Sequence, residues 1–436
     1  MMHDDFEQDL RRGLATLARE AIPDERAAVI DELPRVQTLR VPARPRRTRL
    51  LAAAIVIVLA VGLGVIALVG HGSRPPHVET RQPSWTKTAL FPLLARSEQA
   101  AVFTGRDVIV WGGRSESVGH VAPATVPPDA LADGAAYDLR TGSWGVLPTA
   151  PIGSRYGAVA AWTGREMLVV GGRRDGTGPS GSIEFLRDGA AYDPAHRRWQ
   201  RIPDAPGCPE FGTWTGRELV VGGTCANTTH AFVMAEYDPA RNVWTTLPSY
   251  AAATQLVTAG GRVYAWNLES RGAVLDPARR KWTSLPALPV PGAAYRPDSL
   301  AVAYNGHLAV AGLLQRPSED PARDHASVDI LDLGGPTWRH YESATVVPAI
   351  QGDEIAAAGD ALGWTDGLDF NWFVGPSATG AVQWSSVGRE PVELGSTGEA
   401  LVPIGGRRLF IWGGLLASSG NEPNRPTSEG ALLQLP

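Results

Sequence analysis

A short motif recurs along this chain and constrains its fold more than any other feature: a glycine, a polar residue and then an apolar run. Seven copies occur at intervals of 45 to 59 residues. A repeat of this length predicts an array of similar small sheets, because one such unit cannot bury its apolar face alone. The glycines that open the copies are Gly105, Gly164, Gly216, Gly261, Gly306, Gly352 and Gly406.

Further marks follow the glycine at regular positions. The apolar run ends in a small-residue pair, such as Gly112-Gly113, and the next short run ends in aspartate. These marks predict four short antiparallel strands per copy, lettered a to d. Glycine suits the tight turn between a and b, aspartate suits the turn between c and d, and tryptophan fills the gap between sheets. In five copies a tryptophan follows the aspartate by six residues: Asp138 and Trp144, Asp193 and Trp199, Asp238 and Trp244, Asp276 and Trp282, and Asp332 and Trp338.

This set of marks resembles the kelch repeat, in a membrane-anchored bacterial form of the galactose oxidase central-domain-like superfamily. The resemblance covers roughly Ser84 to the C-terminus and implies a β-propeller. It is weakest in the sixth copy, where Ala378 replaces the aspartate that should precede Trp384. The fourth copy has Trp266-Asn267 in place of the glycine pair.

The ends of the repeat region predict the blade count. The seventh copy finishes with the apolar run at 430–436 and has no tryptophan strand after it, whereas Trp85 stands alone before the first copy. We therefore expect Trp85–Leu90 to be strand d of the last blade, which closes the ring and hides its open edge. The prediction is an all-β, seven-bladed kelch-type propeller over residues 84–436.

The N-terminal part predicts a membrane anchor. Leu50–Val69 is a run of twenty uncharged residues, which as a helix would be about 30 Å long. Five arginines precede it within ten residues, which places the N-terminus in the cytoplasm and exports the propeller. We predict a cytoplasmic tail at 1–49, a transmembrane helix at 50–70 in the plasma membrane, and a linker at 71–83.

The tail carries an apolar stripe at helical spacing. Two interpretations stay open for it. The stripe could dock a cytoplasmic partner, as the tails of membrane-bound anti-sigma regulators do, or it could lie on the membrane face. Its residues are Phe6, Leu10, Leu14, Leu17 and Ala21.

The two cysteines of the chain, Cys208 and Cys225, stand at equal distances from the turn at Gly216-Arg217. In a two-residue hairpin such positions face each other, so we predict a structural disulfide, in keeping with an extracytoplasmic location. In copper enzymes that resemble galactose oxidase, a cysteine-linked tyrosine and histidines hold the metal. A disulfide here leaves no cysteine for that link, so we expect neither a copper site nor another metal or cofactor.

A ligand would bind on the face that carries the b-to-c and d-to-a connections, because the b-to-c loops are long. The candidate ligand-binding residues on this face are Arg114, Arg155, Tyr156, Arg173, Arg174, Tyr295, Arg296, Arg316 and Arg425. Such a surface suits an envelope protein or a polysaccharide. The net charge of −5 does not point to nucleic acid.

The chain shows no nucleophile elbow, no HExxH motif and no phosphate-binding glycine loop ahead of a helix. These observations favour a binding module of the cell envelope that signals through its tail or is only anchored by it. The alternative is a sugar-modifying enzyme, an epimerase or an oxidoreductase, on a kelch ring. A paired acid and base deep in the channel would support that alternative.

Overall fold

The computed structural model describes residues 83–115, 130–176, 183–225, 232–250, 253–267, 271–289, 294–295, 299–315, 325–332, 337–342, 355–365, 369–375, 383–389, 398–416 and 425–435. The predicted tail, membrane span and most of the linker lie outside these residues.

The propeller consists of seven antiparallel sheets, one for each repeat, and each sheet contains strands a to d in spatial order. This confirms the predicted seven blades. In blades 1 to 3 the strands are Ala100–Phe103, Asp107–Trp111, Gly134–Asp138 and Ser143–Val146; Val159–Trp162, Met167–Val170, Gly189–Asp193 and Arg198–Ile202; and Phe211–Trp214, Leu219–Gly223, Val233–Asp238 and Val243–Leu247.

The remaining four blades repeat the pattern with small changes. Blade 5 has an extra short strand, Ala294–Tyr295, which pairs with its strand b. In blades 4 to 7 the strands are Gln255–Ala259, Arg262–Trp266, Gly272–Asp276 and Lys281–Ser284; Leu300–Tyr304, His307–Gln315, His325–Asp332 and Thr337–Glu342; Ile355–Ala358, Ala361–Thr365, Asp369–Val374 and Gln383–Arg389; and Ala400–Pro403, Arg408–Trp412, Gly430–Gln434 and Ser84–Lys87.

The ring closes through the first strand of the described chain. Ser84–Lys87 pairs with Gly430–Gln434, and Trp85 lies opposite Leu433. The prediction of an N-terminal strand d in blade 7 is therefore confirmed, although this strand ends at Lys87 and not at Leu90. Each strand a contacts the strands a of the two neighbouring blades, and Ala100–Phe103 contacts Ala400–Pro403 in this way. Strand a is thus the innermost strand of every blade.

The tryptophans of strand d join adjacent blades. Trp144 packs 5.7 Å from Trp412 of blade 7, and Trp199 packs 5.6 Å from Trp111 of blade 1. The expectation that these rings fill the gaps between sheets is confirmed. In blades 1 to 5 the indole N–H of this tryptophan also donates to a carbonyl just after strand d of the preceding blade. These bonds are Trp144 to Ala89 at 3.0 Å, Trp199 to Pro148 at 3.0 Å, Trp244 to Pro203 at 2.8 Å, Trp282 to Pro248 at 2.7 Å and Trp338 to Pro286 at 2.9 Å.

The a-to-b turns of blades 1 to 3 contain a threonine whose role the sequence analysis missed. Gly105 has φ +93°, which confirms the need for glycine. Beside it, the hydroxyl of Thr104 accepts from the N–H of Asp107 at 2.8 Å. The Arg106 guanidinium then donates to Asp138 of the c-to-d turn at 2.7 Å and holds the pKa of that carboxyl at about 2. The a-to-b and c-to-d turns lie on one face of the ring, called the turn face below, and this ion pair joins the two turns of blade 1.

Candidate functional site

On the opposite face, called the loop face below, the chain passes from strand d of one blade into strand a of the next. Just ahead of strand a, Ser97 forms a bridge with Arg114 in blade 1, and Tyr156 forms one with Arg173 in blade 2. The second residue of each bridge lies immediately after the glycine pair that ends strand b. The glycines let the chain leave the sheet at this point. As a result, the arginine that follows them is directed towards the neighbouring blade.

Tyr156 is the centre of a polar cluster on this face. Its ring lies 4.5 Å from the guanidinium carbon of Arg114 and 5.2 Å from that of Arg173. Its hydroxyl donates to Asp175 at 3.3 Å. Only 1% of Tyr156 is exposed, and burial, assisted by the negative charge of Asp175, raises its pKa to about 12. Two cations therefore stack on a neutral, fixed aromatic ring.

Glu98 of blade 1 joins both arginines of this cluster. Its carboxylate accepts from Arg173 at 2.6 Å and lies 3.7 Å from Arg114. Glu98 also has φ +52°, a backbone conformation that favours glycine. At the same place ahead of strand a, blade 2 has Gly157 with φ +60° and blade 7 has Gly398 with φ +66°. Blade 1 therefore places a carboxylate where its neighbours need glycine.

The backbone around Glu98 links three blades. Its N–H donates to the carbonyl of Gly398 in blade 7, and its carbonyl accepts from the N–H of Gly157 in blade 2, both at 2.8 Å. These bonds fix Glu98 in its positive-φ conformation. The carboxylate is consequently held in place before any ligand arrives, which reduces the entropy lost on binding.

Arg173 and Arg174 supply the accessible charge of the cluster, since 39% of each side chain is exposed. Arg174 donates twice to Glu184 across a small ribbon, at 2.8 and 3.0 Å. Arg114 is nearly buried, with 9% of its side chain exposed. The surface thus offers guanidinium donors above an aromatic ring, with a carboxylate beside them. Such a set can bind carboxylates, amides or sugar hydroxyls.

The structure places Arg155 differently from its neighbours in sequence. It is 1% exposed, and it donates to the carbonyls of Gly153 and Gly171 at 3.0 Å and pairs with Asp188 at 2.8 Å. Its guanidinium holds the end of strand b against the next connection. Arg155, which was predicted as a ligand-binding residue, is thus buried in contacts with backbone carbonyls and Asp188.

Arg96 holds the end of strand b in the same way in blade 1, and it was not predicted from the sequence. It donates to the carbonyls of Leu94 and Gly112 at 3.0 Å and pairs with Asp133 at 2.8 Å. Both arginines stand seven residues ahead of the last residue of strand a. Alignment of the copies at the glycine turn would have revealed this shared position.

The other predicted residues are spread around the ring. Tyr295 lies in the short extra strand of blade 5, and Arg425 lies in a two-residue strand on blade 7. Arg296 and Arg316 are outside the described residues. The contacts described above bring together Arg114, Tyr156 and Arg173.

Several predicted loops are partly β-structure. In blade 2, Arg173–Asp175 pairs with Ile183–Phe185, and in blade 7, Leu415–Leu416 pairs with Arg425–Pro426. In blade 5, strands b and c themselves extend into the predicted loop. The ladder continues because polar side chains such as Arg174 and Glu184 pair across it. These ribbons give the loop face a more regular surface than loops would.

The predicted disulfide is confirmed. Cys208 and Cys225 are bonded, with 5.1 Å between their Cα atoms. The register of Phe211 opposite Gly222 and Trp214 opposite Leu219 leads to this pair. Because each sulfur is bonded to the other, neither is available for a tyrosine link. Among the described residues, no group of three or more histidine, cysteine or carboxylate side chains is arranged to hold a metal ion.

No protein-family model matches the chain, and no curated protein is significantly similar to it. The part of the chain that the structure describes contains no helix with the length and apolarity of a membrane span. The predicted span at 50–70 lies outside that part.

Proposed function

We propose that this protein is a membrane-anchored, extracytoplasmic interaction module whose loop face binds a polar partner in the cell envelope. The seven-bladed ring is the scaffold, and blades 1 and 2 carry the contact surface. The surface consists of Glu98, Arg114, Tyr156, Arg173 and Arg174. The partner is an envelope protein or a polysaccharide that presents carboxylates or hydroxyls to the exposed guanidinium groups of Arg173 and Arg174.

The observation that supports this proposal most directly is the backbone of Glu98. A non-glycine residue at positive φ costs on the order of 1 kcal/mol, and such strain clusters at functional sites. Blades 2 and 7 avoid it with Gly157 and Gly398. What the chain gains from the strain is a carboxylate between Arg114 and Arg173. A glycine at this position would adopt the same backbone conformation without strain. We therefore attribute the glutamate to the contact surface and not to the requirements of the fold.

Two observations support the proposed location. The apolar segment at 50–70 follows an arginine-rich stretch, which favours an N-terminus in the cytoplasm. The Cys208–Cys225 disulfide on the propeller is typical of proteins in oxidising compartments. The tail at 1–49 then lies on the other side, where it binds a cytoplasmic partner or anchors the protein only.

Site-specific photo-cross-linking tests the contact surface. Ile183, 40% exposed on the ribbon of blade 2, and Val243, 45% exposed on strand d of blade 3, are each replaced by a photoreactive phenylalanine in the full-length chain in its membrane. We expect cross-links to one envelope partner from position 183 and none from 243. Adding Glu98→Gly or Arg173→Ala lowers the yield about tenfold, since a charged hydrogen bond contributes about 1.5–3 kcal/mol.

The matched control for Arg173→Ala is Arg165→Ala. Arg165 belongs to the same blade and is exposed on the turn face, so its removal leaves the yield unchanged. Full cross-linking in Arg173→Ala and Glu98→Gly would overturn the assignment of the surface. Conversion of a captured sugar into a new product would instead favour the sugar-modifying enzyme.

A further inference from the structure

A cleft of about 580 Å³ opens on the turn face between blades 3 and 4. This size lies in the range of small-molecule sites. Its walls come from the a-to-b turns of both blades, from strands b and c of blade 3, and from strands b, c and d of blade 4. The lining residues are Thr215, Glu218, Val220, Glu236, Gly261, Arg262, Val263, Val274, Leu275, Asp276, Pro277 and Thr283.

The repeat explains why a cleft forms at this interface. In blades 1 to 3, the residue before the last aspartate of strand c is a tyrosine that packs against the preceding blade. Tyr137, for example, lies 5.6 Å from Phe410 of blade 7. In blade 4 this residue is Leu275, which faces Val220 of blade 3. Two aliphatic side chains therefore meet at this interface, whereas a tyrosine ring fills the same place at the interfaces that precede blades 1 to 3.

Blade 5 shows how the same change is compensated. Its residue at this position is Leu331, again smaller than tyrosine. The facing residue of blade 4 is Tyr264, which is 1% exposed and belongs to the same buried cluster as Leu331. A leucine alone therefore does not open a cleft. The interface of blades 3 and 4 differs from that of blades 4 and 5 in having an aliphatic residue on both sides, Val220 and Leu275.

The walls of the cleft combine aliphatic groups with three acidic side chains, Glu218, Glu236 and Asp276, and one basic side chain, Arg262. Val220, Val263, Val274 and Leu275 supply apolar surface. Glu236 stands in strand c, where blades 1 and 2 have Ala136 and Ala191. Burial, together with the charge of nearby Glu218, raises the pKa of Glu236. The two carboxylates therefore disfavour a further negative charge and favour a positive one.

Basic side chains of the chain itself already lie beside the two carboxylates. Arg280, from the c-to-d turn of blade 4, reaches Glu236 at 3.3 Å. Arg217 lies 3.6 Å from Glu218 and 3.9 Å from Asp238. Neither of these arginines is part of the lining, whereas Arg262 of the blade 4 turn is. The chain itself thus shows that guanidinium groups are accepted next to the carboxylates.

We infer that this cleft binds a small organic cation, an alkylamine or alkylguanidine whose carbon chain lies against the four aliphatic residues. Its charged end pairs with Glu218 and Glu236. The site is on the turn face, so it is separate from the surface of blades 1 and 2, and it does not depend on the function proposed above.

Isothermal titration of the full-length chain, kept in detergent micelles, tests this inference. Agmatine and butylamine are the probes, and 1-butanol is the neutral control. We expect both cations to bind with a millimolar or lower Kd, and the alcohol at least tenfold more weakly. Two substitutions should each raise the Kd of the cations tenfold or more: Leu275→Tyr, which restores the tyrosine of blades 1 to 3, and Glu236→Gln. Glu166→Gln, the same change in the blade 2 turn at the position that corresponds to Glu218, leaves binding unchanged.

Failure of both amines to bind at millimolar concentration overturns the inference. Equal binding of the alcohol, or undiminished binding by Leu275→Tyr, also overturns it. If Leu275→Tyr does not fold, Glu236→Gln decides the question, because Glu236 is partly exposed and its replacement keeps the side-chain shape. None of these outcomes affects the cross-linking test on the loop face.

Discussion

Blades 2 and 3 carry different side chains at one pair of equivalent positions on the loop face, one just ahead of strand a and the other just after strand b. In blade 2, Tyr156 and Arg173 form a bridge and belong to the polar cluster. In blade 3, Cys208 and Cys225 occupy the corresponding places and are bonded to each other. The strands that lead to these positions have the same pairing pattern.

The difference shows that the backbone of the blade does not decide what this position does. It only brings two side chains together where strand b leaves the sheet. In blade 3 the two side chains close the structure covalently. In blade 2 the same geometry presents Arg173 to the surface, and in blade 1 it places Arg114 against the ring of Tyr156. The binding proposed here is therefore assigned to blades 1 and 2 alone, and four predictions test this separation.

The largest effect is expected from Tyr156→Ala. Removal of a buried ring costs about 3–5 kcal/mol in the free energy of unfolding, and both arginines lose the ring on which they stack. Tyr156→Phe keeps the ring and loses only the bond to Asp175, so it should cost about 1 kcal/mol. Urea denaturation followed by tryptophan fluorescence measures both. Equal costs would mean that the hydroxyl, and not the ring, holds the cluster.

The double variant Cys208→Ser with Cys225→Ser should lower the free energy of unfolding by about 2–4 kcal/mol. The disulfide closes a loop between residues 17 apart and restricts the unfolded chain. The same denaturation experiment measures the loss, with the reduced wild type as the matched control. Cross-linking from position 183 should stay unchanged, because blade 3 does not carry the contact surface. Loss of cross-linking in a folded double variant would contradict the separation of the two blades.

Alkaline pH should weaken blade 2 through Tyr156. The pKa of Tyr156 is raised to about 12 by burial, whereas an unfolded tyrosine has a pKa of about 10. The stability that this residue contributes is fully present below about pH 10 and is lost as the pH rises through about 12, by roughly 2 kcal/mol. The measurement is the difference in stability between wild type and Tyr156→Phe from pH 9 to 12. A difference that does not change with pH would show that the hydroxyl is not buried in solution.

The smallest effects are expected where blades 2 and 3 are alike. Trp199 and Trp244 donate to Pro148 and Pro203 in the same way. Trp199→Phe and Trp244→Phe should each cost about 1–2 kcal/mol, because each loses one hydrogen bond and part of a ring. The two midpoints of urea denaturation should agree closely. Clearly different losses would mean that the two blade interfaces are not equivalent.

Much of the fold could be predicted because its signals are local. The glycine turns, the aspartates of the c-to-d turns and the six-residue offset to tryptophan each involve neighbours in sequence. The cysteine pair was predicted from the hairpin register alone. Part of the site could have been found as well. Alignment of the copies ahead of strand a would have shown Glu98 in the column of Gly157 and Gly398, and Arg96 in the column of Arg155.

The sequence by itself determined the repeat, the seven blades, the closure of the ring by Trp85 and the disulfide, because short turns and strand pairing follow from nearby residues. Only the tertiary structure decided which polar residues meet. Glu98 and Arg173 are 75 residues apart, and their contact depends on how blade 1 packs beside blade 2. The cleft at Leu275 likewise depends on the residue that faces it from blade 3. Contacts between blades arise from packing around the ring, which no single repeat encodes.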